Sequence, residues 1–304
     1  MIKGLAITPP VIGRISIGRV VERNGQRLPS KDDQFTLTGQ VQTKEGWVLH
    51  PLDEKLRQEQ DTDKLRRIPV RLPFSCADLN LRAEYSMFDR QTGRPLCVGD
   101  GVTCRRMTAE GVKDLPCPGS SLCEYGKGGN CKLYGRLTVQ VGEDDPDFGC
   151  FILRTTGYNT IRALYARMLY YSAVSGGLLQ CMPLQLKLRG KSTTMSHRAA
   201  IYYVDLELAE GMTLTQALQR ANEVHAARQA AGIDQDALDN VAQMGFANGL
   251  FEYSEEEIPE ILEEFYPSFS LPDTPEAEAG IQPQKVHKLR SRLKQTGTAI
   301  QPGA

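Results

Sequence analysis

At 304 residues, with 40% hydrophobic and 24% charged side chains, the chain has an ordinary globular composition and enough apolar content for one large domain or two modest ones. Its net charge of −1 excludes an overall electrostatic bias toward nucleic acid or membrane, and no apolar run approaches the roughly 20 residues of a spanning helix. Prolines at 9 and 10 interrupt the N-terminus before any secretory apolar stretch develops, so a cytosolic, membrane-free protein is expected.

The N-terminal half reads as strand-rich. Residues 11–21 mix small or polar with β-branched side chains, and 34–42 alternate more strictly. The polar segment 44–64 carries a short helix signal at Leu52–Gln60. Two more strands are expected at 68–74 and 81–88, the first at a sheet edge because of Pro69 and Pro73. Beyond the cysteine-rich stretch, 134–141 and 148–154 read as strands joined by the hairpin chemistry of Gly142–Asp147. Tyr158, Ile161, Leu164, Tyr165, Met168 and Leu169 recur at helical steps. Strands at 182–189 and 199–208 follow, then a helix capped by Thr213 that runs to about Ala231 and stops at Gly232. This order predicts an α+β fold: a mainly antiparallel sheet, two principal helices and a cysteine-rich, zinc-clipped insert.

Four parts follow along the chain: a strand-rich 1–95, the insert 96–133, an α+β part of the same core at 134–250, and a tail at 251–304. Residues 251–265 carry seven acids and no base, and 285–294 carry five bases and no acid. The prolines between them read as linker, so the folded part is expected to end near residue 265.

Five of the eight cysteines fall between positions 97 and 131, in a segment too rich in Gly, Pro, Ser and Asp to pack a core of its own. In a reducing compartment clustered thiols hold metal more often than disulfides. Cys104, Cys117, Cys123 and Cys131 are the best ligand set for Zn²⁺, with Cys97 able to replace Cys104. Four sulfurs at about 2.3 Å would close a structural site and leave no position for substrate. The alternative is a set of unligated thiols packed as small hydrophobes, and the paired spacing of common zinc ribbons is absent. Cys76, Cys150 and Cys181 read as core.

No catalytic constellation assembles. The histidines at 50, 197, 225 and 287 stand far apart, and Gly190-Lys191-Ser192-Thr193 lacks the glycine that a phosphate-binding loop needs at position 185. Asp144, Asp145 and Asp147 could hold a divalent cation for hydrolysis, or simply solvate a hairpin tip.

Gly99-Asp-Gly-Val-Thr-Cys, then Cys117 and Cys123, then Cys131-Lys-Leu-Tyr-Gly-Arg-Leu-Thr-Val-Gln-Val and Phe151-Ile-Leu-Arg-Thr-Thr-Gly-Tyr-Asn-Thr form an ordered set. With Gly13-Arg-Ile-Ser-Ile-Gly and Phe35-Thr-Leu-Thr ahead of them, they resemble the recombination directionality factor-like family of phages, prophages and integrative elements. The likeness covers roughly residues 10 to 210. It implies a non-enzymatic accessory protein that binds a large serine integrase and switches the reaction from integration to excision. It also implies zinc on Cys104, Cys117, Cys123 and Cys131. Arg154, Arg162 and Arg167 are candidates for the partner surface, or they merely solvate a strand end and a helix.

Two other classes remain open at the level of sequence. Lys285, Lys288, Arg290, Arg292 and Lys294 would give a single-strand-binding recombination or repair protein a phosphate footprint, although no aromatic residues interleave them for base stacking. A metal-dependent hydrolase would use the aspartates.

Overall fold

A computed structural model of the chain describes residues 9–23, 26–43, 46–128, 130–142, 149–192, 200–248, 261–262 and 265–266. The described residues all fall within one compact unit, residues 1–267. The basic run 285–294 lies outside the described residues, as do Asp144, Asp145 and Asp147 and most of the acidic stretch.

The described residues form an α+β fold on a twelve-stranded sheet. Its strands are β1 (Val11–Arg23), β2 (Gln26–Thr43), β3 (Gly46–Leu49), β4 (Arg67–Arg71), β5 (Leu81–Phe88), β6 (Pro95–Gly99), β7 (Thr103–Thr108), β8 (Gly111–Pro116), β9 (Lys132–Val141), β10 (Cys150–Thr155), β11 (Leu184–Lys191) and β12 (Ile201–Leu208). The main path runs β3-β2-β1-β10-β9-β5-β6-β7-β8, while β4 joins the end of β9 to β11 and β12. Of the paired strands described, β1 and β10 are parallel and the rest antiparallel.

Five α-helices accompany the sheet among the described residues: α1 (Pro51–Glu59), α2 (Ala77–Asn80), α3 (Tyr158–Val174), α4 (Leu214–Ala230) and α5 (Gln235–Asn248). The two expected long helices are α3 and α4. Thr213 caps α4 with a reciprocal capping box through Gln216, and Gly232 follows its end with a φ of +79°. Helix α5 was not expected, nor were strands β3 and β6 to β8. Its Asp239 accepts from Ser75, and Ala242 buries against Phe74 and Leu79.

Strand register builds the core. Leu37, Ile15, Leu153, Leu137 and Leu81 stand abreast across β2, β1, β10, β9 and β5, and all five are buried. Helix α3 covers this face: a Cβ added at Gly135 would lie 2.8 Å from Ile161, so only glycine admits the helix so closely. Thr160 Oγ1 accepts from the backbone N–H of Val204, which ties α3 to β12 at 3.2 Å.

The proline argument for an edge position of β4 fails. This strand lies between β9 and β11. The Pro69 carbonyl accepts from Gly142 N–H, just past the end of β9, so the missing proline donor points where that ladder has already stopped. Cys76 is also corrected. It is exposed at the N-cap position of α2, whereas Cys150 and Cys181 are buried as expected.

Asp53, on α1, is almost fully buried. It accepts from Leu37 N–H at 2.8 Å and from Arg57 Nε at 2.7 Å, while Arg57 also donates to the carbonyl of Phe35. One carboxylate thus fastens α1 to β2. Asp53→Ala is expected to lower unfolding free energy by about 2 kcal/mol or more, because a buried N–H and a half-buried guanidinium lose their acceptor. Urea denaturation measures it, and a change under about 0.5 kcal/mol would show that water replaces the carboxylate freely.

Candidate metal centre

The cysteine-rich segment is not the irregular loop its composition suggests. Through residue 116 it continues the sheet as β6, β7 and β8, and only residues 117–131 lack regular strands. The register of these strands assembles the thiols. Cys97 stands opposite Arg106, and Gly99 opposite Cys104. Residues two apart in a strand share a face, so Cys97, Cys104 and Arg106 face the same side.

Gly99 makes room for the next thiol. A Cβ there would lie 2.6 Å from Cys104 Cβ and 2.9 Å from Cys117 Sγ, so Cys117 occupies the space of the missing side chain. The β6–β7 turn fixes that approach. Asp100 Oδ1 accepts from Val102 and Thr103 N–H at 2.7 and 2.8 Å, and the Val102 carbonyl accepts from Cys117 N–H at 2.9 Å. These amides hold the Asp100 carboxyl below its ordinary range, the Thr103 bond first. Gly126 repeats the device farther on, because a Cβ there would lie 2.5 Å from Cys131 Cβ.

The guanidinium of Arg106 lies among these sulfurs. Its Nη2 is 3.9 Å from Cys104 Sγ and 3.8 Å from Cys123 Sγ, and its Cζ is 4.4 Å from the centre of the Tyr125 ring. A hydrogen bond with Cys97 is the main cause that raises the Arg106 pKa, opposed by burial. Burial pushes the Cys104 thiol up to about 11, with the neighbouring Cys97 adding to the shift and Arg106 opposing it. Burial likewise pushes Cys131 up to about 11, followed by the charges of Cys123, Cys97 and Cys117. All eight cysteines are free thiols, so none of the five is tied off as a disulfide.

The four expected ligands and Cys97 therefore lie in one neighbourhood. Among the described residues, however, no three Cys, His, Asp or Glu side chains stand as a ready ligand set. The donor chemistry itself fits zinc: soft sulfurs, three of the four buried, carried on backbone that glycines bring together. Metal binding here would have to displace the protons that burial holds on Cys104 and Cys131.

Exposed apolar side chains stand among charged ones on this part of the chain. Val102 and Leu122 are about three-quarters exposed, and Met107 and Val112, a cross-strand pair, are also exposed. Strand β8 ends the sheet path at this side.

The three arginines expected to share a surface are divided by the sheet. Arg162 and Arg167 lie on exposed positions of α3, where Arg167 pairs with Asp205 at 3.3 Å. Arg154 lies on β10 next to Thr155, the register partner of Gly135, which faces α3. Arg154 therefore points to the opposite side. There it stands abreast of Arg136 and Arg82 across β10, β9 and β5. Arg82 is paired with Glu84 at 3.4 Å.

Sequence reasoning missed Arg106, Arg136 and Arg82. The Cys-x-Arg alternation at 104–106 was the available signal for the first. The arginine row depends on strand register and had no local signal.

His50 serves the fold, since its Nδ1 accepts from Leu52 N–H at the start of α1. Gly190 and Lys191 end strand β11, and Thr193 lies outside the described residues.

A family model described as Gp3-like, recombination directionality factor-like, matches residues 12–209, more than half of the chain. That span contains the five thiols, the arginine row and the core row of the sheet. No curated protein and no solved structure matches.

Proposed function

The chain belongs to the recombination directionality factor-like family, and from that premise we propose that it is a non-enzymatic accessory protein that binds a large serine integrase and favours excision over integration. The observation that carries this reading is the family match, which runs through the sheet and the whole cysteine-rich insert. In this reading Zn²⁺ is held by Cys104, Cys117, Cys123 and Cys131, with Cys97 as the alternative to Cys104. Its contribution is structural: it fastens residues 117–131 onto strands β6 and β7. The exposed Val102 and Leu122, which adjoin Cys117 and Cys123, then form the apolar part of the contact with the recombinase.

Direction control needs no chemistry from this chain. It requires only that the protein bind one arrangement of the recombinase–DNA complex more tightly than another. Reversing a 1:99 preference takes about 5.5 kcal/mol of differential binding. A rigid edge of sheet can supply such a difference where a floppy loop would lose it to ordering entropy.

Direct contact with nucleic acid is the second reading, favoured by the alignment of Arg82, Arg136 and Arg154. Among the described residues no helix is long and apolar enough to cross a membrane.

A gel-shift series separates the two readings. The protein is expected to retard a recombinase–DNA complex further and to leave the same DNA unshifted when the recombinase is omitted. Tight binding to DNA alone, reduced by Arg136→Glu, would move the assignment to the second reading.

A further inference from the structure

We infer that Arg106 is the outer-shell partner of the thiolate cluster, donating to the sulfurs and offsetting the charge that four thiolates leave on a divalent ion. The inference rests on the zinc reading above and goes beyond it by assigning a residue that is not itself a ligand.

Arg106 is half-buried on the strand that carries Cys104, and among the described residues no carboxylate pairs with it. Its Nε is buried with no hydrogen-bond partner. A guanidinium stays charged under all physiological conditions, and a desolvated charge is costly unless an opposite charge faces it. What faces this one is sulfur: Cys104 and Cys123 within 4 Å of one nitrogen, and Cys97 directly across the β6–β7 ladder. Neutral thiols are weak acceptors and leave the cation uncompensated.

Four thiolates around Zn²⁺ carry a net charge of −2, which would itself be unfavourable in a buried site. A single guanidinium offsets half of that charge, so each imbalance is reduced when both are present. Tyr125 holds the guanidinium in place by lying 4.4 Å beneath it. Nη2 alone reaches sulfurs from two different segments, and the rigid guanidinium keeps further donors beside it, which a lysine ammonium on a flexible stem does not.

The test measures zinc affinity of the full chain by competition with a chromophoric chelator, for the wild type, Arg106→Gln and Arg106→Lys. Loss of an outer-shell partner is expected to weaken binding about 10- to 100-fold in Arg106→Gln, with Arg106→Lys between it and the wild type. Cadmium substitution gives a second readout, because sulfur-to-metal absorption counts bound thiolates whatever the protein's activity. That absorption is expected to persist in Arg106→Gln at saturating Cd²⁺, which shows that the ligands themselves are intact. If Arg106→Gln does not fold, Tyr125→Leu keeps the charge and removes its support, and it should weaken binding in the same direction. Wild-type protein that holds metal while both Arg106→Gln and Tyr125→Leu hold it equally well overturns the inference alone. Wild-type protein that holds no metal overturns the zinc reading and this inference with it.

Discussion

In the double variant Cys117→Ser, Cys123→Ser, bound zinc is expected to fall from about one ion per chain to none, and residues 117–131 to become open to protease. The reason lies in what else holds that segment. It contains no strand, and its backbone bonds are few, among them Gly126 N–H to the Cys123 carbonyl and Lys127 N–H to the Glu124 carbonyl. Leu122 in its middle is about three-quarters exposed and adds no burial. Binding free energies of about 10–16 kcal/mol are typical of structural zinc sites, so the metal would supply most of the local folding energy. Strands β6 to β8 are expected to survive in part, because β6 is laddered to β5 and Cys97 packs with Met87. Cys76→Ser is the control: this thiol is exposed and remote from the cluster in sequence, and its loss should change neither metal content nor proteolysis. Full zinc retention in the double variant would remove Cys117 and Cys123 from the ligand set.

The second large effect is expected in the core. Phe151 is fully buried on β10, opposite Gly13 of β1 and Val139 of β9. Its ring fills the space of a Cβ at Gly13, to within 2.5 Å, and His50 packs edge-on against it at 5.0 Å. Phe151→Ala should cost about 3–5 kcal/mol, the transfer term plus the cavity left between two strands that cannot close over it. The parallel pairing of β1 and β10 depends on this contact, so loss should also loosen the β1–β2 hairpin. Urea unfolding followed by circular dichroism measures the change. A loss below about 1 kcal/mol would mean that the hairpin repacks without the ring.

Elements with their own local signal were legible in the sequence. Strand β5 and helices α3 and α4 were expected within a few residues of where they lie, because alternation, helical recurrence and the Thr213 capping box are written in neighbouring residues. The failures share a different cause. Strand β8 is exposed along most of its length, so it carries no buried-exposed alternation to read, and β6 and β7 are only five and six residues long, with turns at Gly101 and Gly111 after them. Helix α5 leaves Leu238, Val241 and Met244 exposed and buries Ala242, so its pattern is weak. The prolines near β4 argued for an edge, yet the end of β9, five strands later in sequence, decided the matter.

The candidate site divides along the same line. The clustering of cysteines and the resemblance to the family were visible in residue order, and the family match bears out that resemblance over residues 12–209. The roles of Gly99 and Gly126 were not, because each is set by a thiol that approaches from another segment. Arg154, Arg162 and Arg167 were grouped by proximity in sequence, and the sheet separates the first from the other two. Arg136 and Arg82 gain their place beside Arg154 only when three strands pair.

Direction of recombination is the property on which the functional account turns. The decisive measurement is the ratio of excisive to integrative product formed in vitro by the cognate recombinase, with and without the zinc-loaded protein. A reversal of the favoured direction at stoichiometric protein is the predicted result. An unchanged ratio, with the protein folded, metal-loaded and demonstrably bound to the recombinase, would contradict the account.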